Sequence, residues 1–314
     1  MMRLKLVPET TSIPFMKFRM IAIAISAALI LLSAGLFFGM GLNRGIDFEG
    51  GILIEVGTEG PADISAMRST LGGLGLGEVA LQEFGASDDV LIRIERQEGE
   101  AEAQLAAVDA VKAALEPENP GISYRRVEFV GPKVSGELVE SALYAVLTAV
   151  VAMLLYIWLR FEWQFSAGAV VAIVHDVILT IGLFAITRIE FNLASVAAIL
   201  TIVGYSINDT VVVYDRVREN LRKYKQMPLS ELLSLSINDT LSRTVMTSVT
   251  TLLALFALFF FGGEVIRGFS AALIWGVLVG TYSSIFIAAP LLLMLGLQRG
   301  ARDDEEAEEE PETV

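Results

Sequence analysis

The stretch FNLASVAAILTIVGYSINDTVVVY, residues 191–214, is long enough to cross a membrane as a helix and contains a single charged residue, Asp209. A bare carboxylate in hydrocarbon costs roughly 2.5 to 3.5 kcal/mol even on lenient insertion scales. A proton or a partner group must therefore neutralise Asp209, and intramembrane carboxylates of this kind often mark an ion path. The alternative is an aspartate that only forms hydrogen bonds to neighbouring helices.

Polar side chains accompany Asp209 along this helix. Tyr205 and Ser206 precede it by four and three residues, so a phenol and a hydroxyl share its helical face. We expect these two residues and Thr210 to supply supporting polar contacts. We assign Asn208, which adjoins Asp209, to the same proton relay.

The composition is that of a polytopic α-helical membrane protein. Hydrophobic residues make up 54% of the 314 residues and the mean hydropathy is +0.60, which is too apolar for a soluble protein of this size. Six apolar stretches are close to the length of a membrane span. They are residues 20–42, 138–158, 165–186, 191–214, 244–261 and 269–295. The last five are predicted to form a bundle within residues 138–298.

The distribution of basic residues predicts the topology, because Lys and Arg are retained in cytoplasmic loops. Among the termini and short loops they cluster in the segment 1–19, at Arg160, within 216–225 and at the C-terminal end, whereas only Arg188 and Arg267 fall on the opposite face. Both termini are therefore predicted to be cytoplasmic. Trp158 and Trp163 flank the inner turn at Arg160, as expected at a membrane interface. The acidic tail, residues 299–314, is predicted to be disordered.

The one large loop, residues 43–137, is predicted to be an extracytoplasmic folded domain. Four segments have strand character and two have helical character, the first helix opened by Pro61. Their order, β-α-β-β-α-β, is that of a ferredoxin-like α+β domain. The strands are predicted at 51–57, 79–84, 90–95 and 122–130, and the helices at 61–71 and 99–115.

Two glycine-rich joints connect this domain to the membrane spans. Glycine permits left-handed turns and close backbone approach, so we interpret the joints as hinges or packed joints and expect the domain to move on them. A phosphate-binding loop is disfavoured because acids flank the glycines. The joint residues singled out are Gly45, Asp47, Gly50 and Gly51 on one side of the domain and Gly131 and Pro132 on the other.

The segment 216–241 follows the fourth span on the predicted cytoplasmic side. Its first part continues the helix, and Met227-Pro228 breaks it. Apolar residues at helical spacing after Pro228 predict a second, amphipathic helix that lies in the membrane interface.

Two further sites accompany Asp209. Arg243 precedes the fifth span near the depth of Asp209. Burial favours the neutral form of a carboxyl group, and a nearby guanidinium favours its charged form. Small rearrangements at this place would therefore switch the protonation of Asp209. Thr247, with Thr250 and Thr251, forms a polar stripe that we expect to point inward. The alternative for Arg243 is an interfacial anchor.

Asp176, in the third span, is a second candidate proton carrier, with His175 as its local support. A structural hydrogen bond between spans is an equal alternative for Asp176.

The sequence gives little support to enzymatic chemistry. It has no cysteine and one histidine, and it lacks a Walker loop, zinc-ligand spacing and a nucleophile elbow. An intramembrane aspartyl protease would need Gly-x-Gly-Asp where residues 206–209 read Ser-Ile-Asn-Asp. We therefore expect no catalytic residues, no metal and no cofactor.

Together these motifs resemble the SecF members of the SecD/SecF family of protein-export membrane subunits, within the resistance-nodulation-division superfamily. The resemblance runs from about residue 41 to residue 297. Ser135 stands where the family usually has glycine. The motifs are GIDFEGG at 45–51, VGP at 130–132, RFEW at 160–163, HD at 175–176, GYSINDT at 204–210 with DR at 215–216 and REN at 218–220, and TLSRT at 240–244.

The resemblance implies an auxiliary subunit of the Sec machinery of the bacterial cytoplasmic (inner) membrane. It implies a SecD-like six-helix partner, the SecYEG translocon and YajC as neighbours, and an unfolded preprotein as the translocated chain, with no nucleic acid. It also implies that the proton gradient supplies the energy and that protons pass through Asp209 and Arg243.

The residues themselves suggest a half-transporter, since transporter sites commonly lie between two related repeats and this chain shows no clear internal repeat. Two other functions stay open. One is half of a proton-coupled small-molecule exporter, which the small outer domain disfavours. The other is a non-transporting assembly scaffold in which intramembrane polar residues only join helices.

Overall fold

The membrane part of the chain consists of six long helices, as expected. The structure is a computed structural model that describes residue 8, residues 11–97, residue 99 and residues 101–297. The predictions for residues 1–7 and for the tail 299–314 lie outside these residues. The helices are α1 (Arg19–Met40), α5 (Pro132–Arg160), α6 (Trp163–Thr187), α7 (Leu193–Lys223), α8 (Leu229–Phe261) and α9 (Glu264–Ser283), which continues through a π-helical segment (Ser284–Ala288) into α10 (Ala289–Met294).

Three of these helices form the centre of the bundle. In their most apolar windows, 56% of α6, 50% of α7 and 61% of the α9–α10 helix is buried within the chain. The corresponding figures are 17% for α1 and α8 and 6% for α5. The two candidate aspartates lie on α6 and α7 and are therefore carried by central helices, whereas α5 presents most of its surface to its surroundings.

The central helix α7 continues beyond the membrane span through the charged residues to Lys223, as predicted. Asn192 caps its first turn by accepting from the Ser195 backbone N–H, and Ser195 Oγ accepts from the Asn192 N–H in return, which is a capping box. This cap fixes the N-terminal end of the helix that carries Asp209.

The prediction of a separate interfacial helix after Pro228 is wrong. Residues 229–241 are the first half of α8, which runs to Phe261 without interruption because no glycine or proline lies between the two parts. Leu232, Leu233 and Ile237 are buried in the same core cluster as Phe15 and Met16, so they pack against protein rather than lie in the interface.

The predicted ferredoxin-like domain is present between α1 and α5. It contains β1 (Gly51–Gly57), α3 (Ile64–Gly72), β2 (Val79–Phe84), β3 (Ala86–Ile94), α4 (Ala101–Leu115) and β4 (Ser123–Val130). The strands form one antiparallel sheet in the order β2-β3-β1-β4. One face of the sheet, with Ile52, Ile54 and Ile92, packs against α3 and α4. The alternate residues of β1 and β3, Leu53 and Leu91, pack with Ile46 on the other face.

Helix α3 does not begin at Pro61 as predicted. It begins at Ile64, because the Asp63 carboxylate accepts hydrogen bonds from the Ser65 and Ala66 backbone N–H groups and so caps the first turn. The capping aspartate, rather than the proline, determines the start of the helix.

The predicted topology can be tested with two single cysteines in this cysteine-free chain. Ser87 on β3 and Glu231 on α8 are both exposed. We expect an impermeant thiol reagent added to intact cells to label Ser87→Cys and not Glu231→Cys, with both labelled after the membrane is opened. Labelling of Glu231→Cys alone in intact cells would show that the orientation is the opposite of the predicted one.

Candidate functional site

Asp209 is held by hydroxyl groups from two neighbouring helices. Thr244 Oγ1, on α8, donates to Asp209 Oδ1 at 2.6 Å, and Ser284 Oγ, in the π-helical segment, donates to Asp209 Oδ2 at 2.5 Å. Both carboxylate oxygens therefore have a partner, and both partners are neutral. Asp209 is partly buried at the junction of three helices.

Asp176 on α6 is fully buried and is also bound by hydroxyl groups. Its Oδ2 accepts from Ser206 Oγ of α7 at 2.5 Å and from Ser283 Oγ of α9 at 2.8 Å. His175 Nδ1 lies 2.9 Å from Asp176 Oδ1, which makes the histidine the local support that its position suggested. Asp176 thus links the three central helices through one carboxyl group.

Consecutive serines connect the two aspartates. Ser283 binds Asp176 and Ser284 binds Asp209, at the point where α9 changes to π-helical geometry. In an α-helix adjacent side chains point about 100° apart, so neighbouring residues can serve different helices. A π-helical turn within an α-helix is rare, and those that occur often lie at functional sites.

The structure gives Tyr205 and Ser206 different partners from those expected. Neither binds Asp209: Ser206 donates to Asp176, and Tyr205 donates to Ser248 Oγ at 3.2 Å. The shared face was inferred from spacing along one helix, but both side chains reach neighbouring helices. Thr210 is buried beside Asp209, whereas Asn208 is exposed on α7.

Arg243 and the threonine stripe lie on the outer side of α8. Arg243 is exposed, and within the described part of the chain no ion pair joins it to Asp209, whose two oxygens are bound by Thr244 and Ser284. The expectation that the stripe points inward is wrong for this chain: Thr247 and Thr250 are exposed, and each donates to a carbonyl of its own helix. The inner face of α8 is taken by Thr244 and by buried residues at helical spacing from it, Ser248 and Leu255.

A polar chain extends from Asp176 toward α1. The His175 ring stacks on the Tyr282 ring, with centroids 6.0 Å apart, and the Tyr282 hydroxyl lies 2.9 Å from Ser26 Oγ. The second ring nitrogen, His175 Nε2, is buried, and the described residues offer it no hydrogen-bond partner. The polar groups around Asp176 therefore reach four helices.

Close packing of α9 against α7 keeps these contacts in place. A Cβ added to Gly280 would lie 3.1 Å from Ser206 Cβ and 3.4 Å from Ser206 Cα, and one added to Gly276 would overlap the Ile202 side chain. The two glycines allow the backbones to approach, as small residues commonly do between membrane helices. Ser206 of α7 and Ser283 of α9 bind the same oxygen of Asp176 where these two helices approach.

The first glycine joint is a packed joint. It contains a short helix, α2 (Ile46–Glu49), followed by Gly50 and Gly51 with φ of 73° and 117°, in the left-handed region that favours glycine. The Gly45 N–H donates to the Phe191 carbonyl at 2.9 Å, and a Cβ on Gly45 would overlap the Glu190 carboxylate. The joint is therefore attached to the turn between α6 and α7.

Two further contacts connect the α+β domain to the N-terminal end of α7. The Asp47 carboxylate accepts from the Leu193 backbone N–H, in the first turn of α7, at 2.9 Å. An acidic group at this end of a helix is favourable because the first N–H groups lack partners within the helix. From the sheet, Arg93 forms an ion pair with Glu190 at 2.5 Å, with both side chains about four-fifths buried.

The second joint is helical rather than a flexible turn. Gly131 has an extended backbone with φ of −75°, and Pro132 occupies the first turn of α5, where proline is favoured. The second membrane helix thus begins six residues before the predicted span. Since the helix follows the last strand directly, this side of the domain has no glycine hinge.

Sequence reasoning missed the hydroxyl partners of both aspartates and the Arg93–Glu190 pair. Ser283 and Ser284 belong to the polar run TYSS, residues 281–284, inside the sixth span. Polar residues within an apolar stretch were the available signal for these two. Arg93 and Glu190 are 97 residues apart, and no pattern along the chain connects them.

Comparison with known proteins identifies close relatives. Residues 110–298 match the family model described as protein export membrane protein SecD/SecF, C-terminal, and residues 35–62 match the SecD/SecF GG motif. The chain is 48% identical over 295 residues to protein translocase subunit SecF of Rickettsia akari, covering 93% of this chain and 94% of that protein. It is 48% identical over 304 residues to the SecF subunit of Cereibacter sphaeroides, covering 95% and 94%.

Two solved structures are similar over nearly the whole chain. One is SecDF of Thermus thermophilus, described as a translocon-associated membrane protein, with a TM-score of 0.84 and 36% identity over 93% of this chain. The other is SecDF in a super-membrane-facing form, with a TM-score of 0.66 and 33% identity over 98% of this chain. The chain spans only 40% and 41% of the length of those proteins.

The close approach of the backbones at Gly280 predicts that a methyl group added there destabilises the bundle more than one added at an open position. Gly280→Ala should push on Ser206 and destabilise the bundle by about 1 to 3 kcal/mol. Gly35→Ala on α1, where nothing lies within 4 Å of the added Cβ, should be neutral or stabilising. Thermal unfolding in one detergent measures both, and equal stability of the two variants would contradict the proposed packing.

The Arg93–Glu190 pair predicts a charge-reversal pattern. Arg93→Glu should place two acids together and destabilise the docked domain by roughly 2 to 3 kcal/mol. Adding Glu190→Arg should restore part of this loss, since the pair is re-formed but the bonds from Arg93 to Asn43 and to the Arg44 carbonyl are not. Limited proteolysis near residues 43–50 gives the readout. A double variant as sensitive as Arg93→Glu would show that the pair does not hold the domain.

Proposed function

The chain belongs to the SecF family of protein translocase subunits, within the SecD/SecF proteins of protein export, and we propose that it uses the proton gradient to promote preprotein translocation. In this proposal Asp209 is the proton carrier and a SecD-like subunit completes the transporter. The observation that carries the proposal is the binding of both Asp209 oxygens by hydroxyl groups.

Hydroxyl partners suit a carboxyl group that changes its protonation state. Thr244 and Ser284 can donate to the ionised carboxylate, and each can rotate to accept from the protonated acid. A guanidinium group can only donate, so a closed ion pair would favour the charged form alone. Arg243, which is exposed and directly precedes Thr244, is proposed to approach Asp209 and withdraw from it during the cycle.

Asp176 is the second residue of the proposed relay, at the fully buried position. Its contacts with Ser206, Ser283 and His175 tie α6, α7 and α9 together, and this favours a mainly structural role. The buried His175 Nε2 and the adjoining Tyr282 give Asp176 a polar path toward α1. We place Asp209 first because it is less enclosed.

The exposed polar residues near Asp209 support a partner subunit on that side. Arg243 and Asn208 adjoin Thr244 and Asp209 in sequence, and both are exposed, as is Thr247; Asn208 and Thr247 fall within predicted spans and Arg243 directly precedes one. Polar groups in this position need a protein partner or a water-filled cavity. We propose that a SecD-like six-helix subunit covers this face, as expected for a half-transporter. SecYEG and YajC are proposed as further neighbours on family grounds.

The α+β domain is in a position to transmit force. Asp47 and Glu190 connect it to the outer end of α7, and Asp209 lies on the same helix. A change at Asp209 that shifts α7 would therefore reach the domain without a flexible linker. We propose that this movement assists an unfolded preprotein on the extracytoplasmic side.

We propose a bacterial inner-membrane location with both termini cytoplasmic, which rests on the basic loops. The proposal includes no enzymatic step and no cofactor, because the gradient supplies the energy. A small-molecule exporter and a scaffold are the rival functions.

The proton-carrier role predicts a separation of abundance from activity. Asp209→Asn keeps the size and most hydrogen bonds of the side chain but cannot titrate, so gradient-dependent translocation should fall to the level without a gradient while subunit abundance is unchanged. The measurement is preprotein translocated by vesicles with and without an imposed proton gradient. Glu231→Gln, which neutralises an exposed carboxylate on α8, is the matched control and should behave as the parent.

Arg243→Lys refines the same experiment. Lysine retains the charge but loses the planar fork, so gradient stimulation should be reduced if Arg243 acts geometrically on Asp209 and retained if it is an interfacial anchor. Undiminished stimulation in Asp209→Asn would remove Asp209 as an obligatory carrier and favour Asp176 or the scaffold function.

A further inference from the structure

A charged cleft lies at the predicted cytoplasmic end of the bundle, away from both aspartates. Its volume is about 520 Å³, and all of its lining residues are charged. Four are bases and two are acids: Arg160, Asp215, Arg218, Glu219, Arg222 and Lys223. The cleft is formed by the turn between α5 and α6 and by the last turns of α7.

The two acids of the cleft already have basic partners. Asp215 accepts from Arg160 at 3.1 Å, and Glu219 accepts from Arg216, outside the cleft lining, at 2.8 Å. Arg218 donates one long bond, 3.4 Å, to the Arg160 carbonyl. Among residues 11–97, 99 and 101–297, no ion pair joins Arg218 to a carboxylate. The cleft therefore keeps positive charge that its own acids do not neutralise.

A buried aromatic ring positions two of the guanidinium groups. The guanidinium carbons of Arg160 and Arg218 lie 5.1 and 5.5 Å from the centroid of the Phe161 ring. Phe161 is buried and contacts Phe165 and Tyr214, which belong to the core. Stacking on a fixed ring already restricts the two arginine side chains, so they lose less conformational entropy when a ligand binds. A planar guanidinium also matches the oxygens of a phosphate.

The surface next to the cleft is apolar and faces outward. Trp158, Leu159 and Trp163 are 63%, 77% and 57% exposed. Exposed indoles at the end of a span are typical of the membrane interface. A ligand at the guanidinium groups would thus have its phosphate in the cleft and apolar chains along α5.

We propose that this cleft binds the phosphate of an anionic glycerophospholipid of the cytoplasmic leaflet. Basic pockets between membrane helices on this side are suited to anionic headgroups, and each nearby Lys or Arg contributes on the order of 1 kcal/mol. The exposed apolar residues favour a lipid over a free phosphate ion. Arg160 and Arg218 are the phosphate-binding residues, and Phe161 positions them.

Tryptophan fluorescence gives a local readout. In a Trp275→Phe background only Trp158 and Trp163 remain, and both adjoin the cleft. The full chain is reconstituted in phosphatidylcholine vesicles that contain either brominated phosphatidylglycerol or brominated phosphatidylcholine, and quenching by the two bromolipids is compared. We expect phosphatidylglycerol to be preferred about fivefold, the factor for one basic contact, because Arg160 also pairs with Asp215 and, of the two, Arg218 alone adds uncompensated charge.

Substitutions assign the preference to the cleft. Arg218→Gln with Arg160→Gln should remove it, and Arg218→Lys should weaken it because the planar fork is lost. Lys225→Gln, which removes one charge from the same surface outside the cleft lining, should leave it unchanged. Equal quenching by both lipids in the parent, or an unchanged preference in the double variant, would overturn the proposal.

Two additions identify the source of the ligand. Inorganic phosphate in tenfold excess over the anionic lipid should leave the preference for phosphatidylglycerol unchanged. Loss of that preference would mean that the cleft binds a free anion instead. A SecD-like partner lacking tryptophan should also leave it unchanged. Loss of the preference on adding the partner would mean that the cleft is a protein interface.

Discussion

The bundle depends on placing two carboxyl groups in an apolar interior without leaving them unpaired. An unsatisfied buried polar group costs about 1 to 3 kcal/mol, and more if it is charged. Ser283 and Ser284 meet this requirement from adjacent positions, where α9 becomes π-helical, and bind Asp176 and Asp209 respectively. The central helices α6, α7 and α9 are therefore held in register by the groups that are also candidates for proton transfer, so function and stability share the same contacts.

Helix α7 connects the two sides of the membrane. Its N-terminal end is bound by Asp47 and adjoins the Arg93–Glu190 pair, Asp209 lies within the apolar span, and its C-terminal part carries Arg218. A rigid helix with a firm cap transmits displacement better than a glycine hinge does. Of the two interpretations of the glycine-rich joints, hinge or packed joint, the contacts fit a packed joint on one side, and the first turn of α5 forms the other.

Much of this architecture followed from the sequence, because spans and short strands leave periodic patterns along the chain. The six helices and the βαββαβ order are confirmed, and Asp209 and Asp176 are central as expected. The partners of these residues were not predictable from helical spacing, since Ser206 crosses to Asp176 and Tyr205 to Ser248. Spacing gives the face of a residue on its own helix but not the helix that packs there. The continuous α8 was missed because its amphipathic first half and its apolar second half were assigned to separate helices, although no glycine or proline lies between them.

The central claim, that Asp209 changes its protonation state within this hydroxyl site, is tested most directly by infrared difference spectroscopy of the assembled complex in lipid. A pH jump or an imposed proton gradient should produce a carboxyl C=O band that is lost in Asp209→Asn and retained in Asp176→Asn. Persistence of the whole band in Asp209→Asn, or its loss only in Asp176→Asn, would contradict the account and assign the titrating carboxyl to another residue.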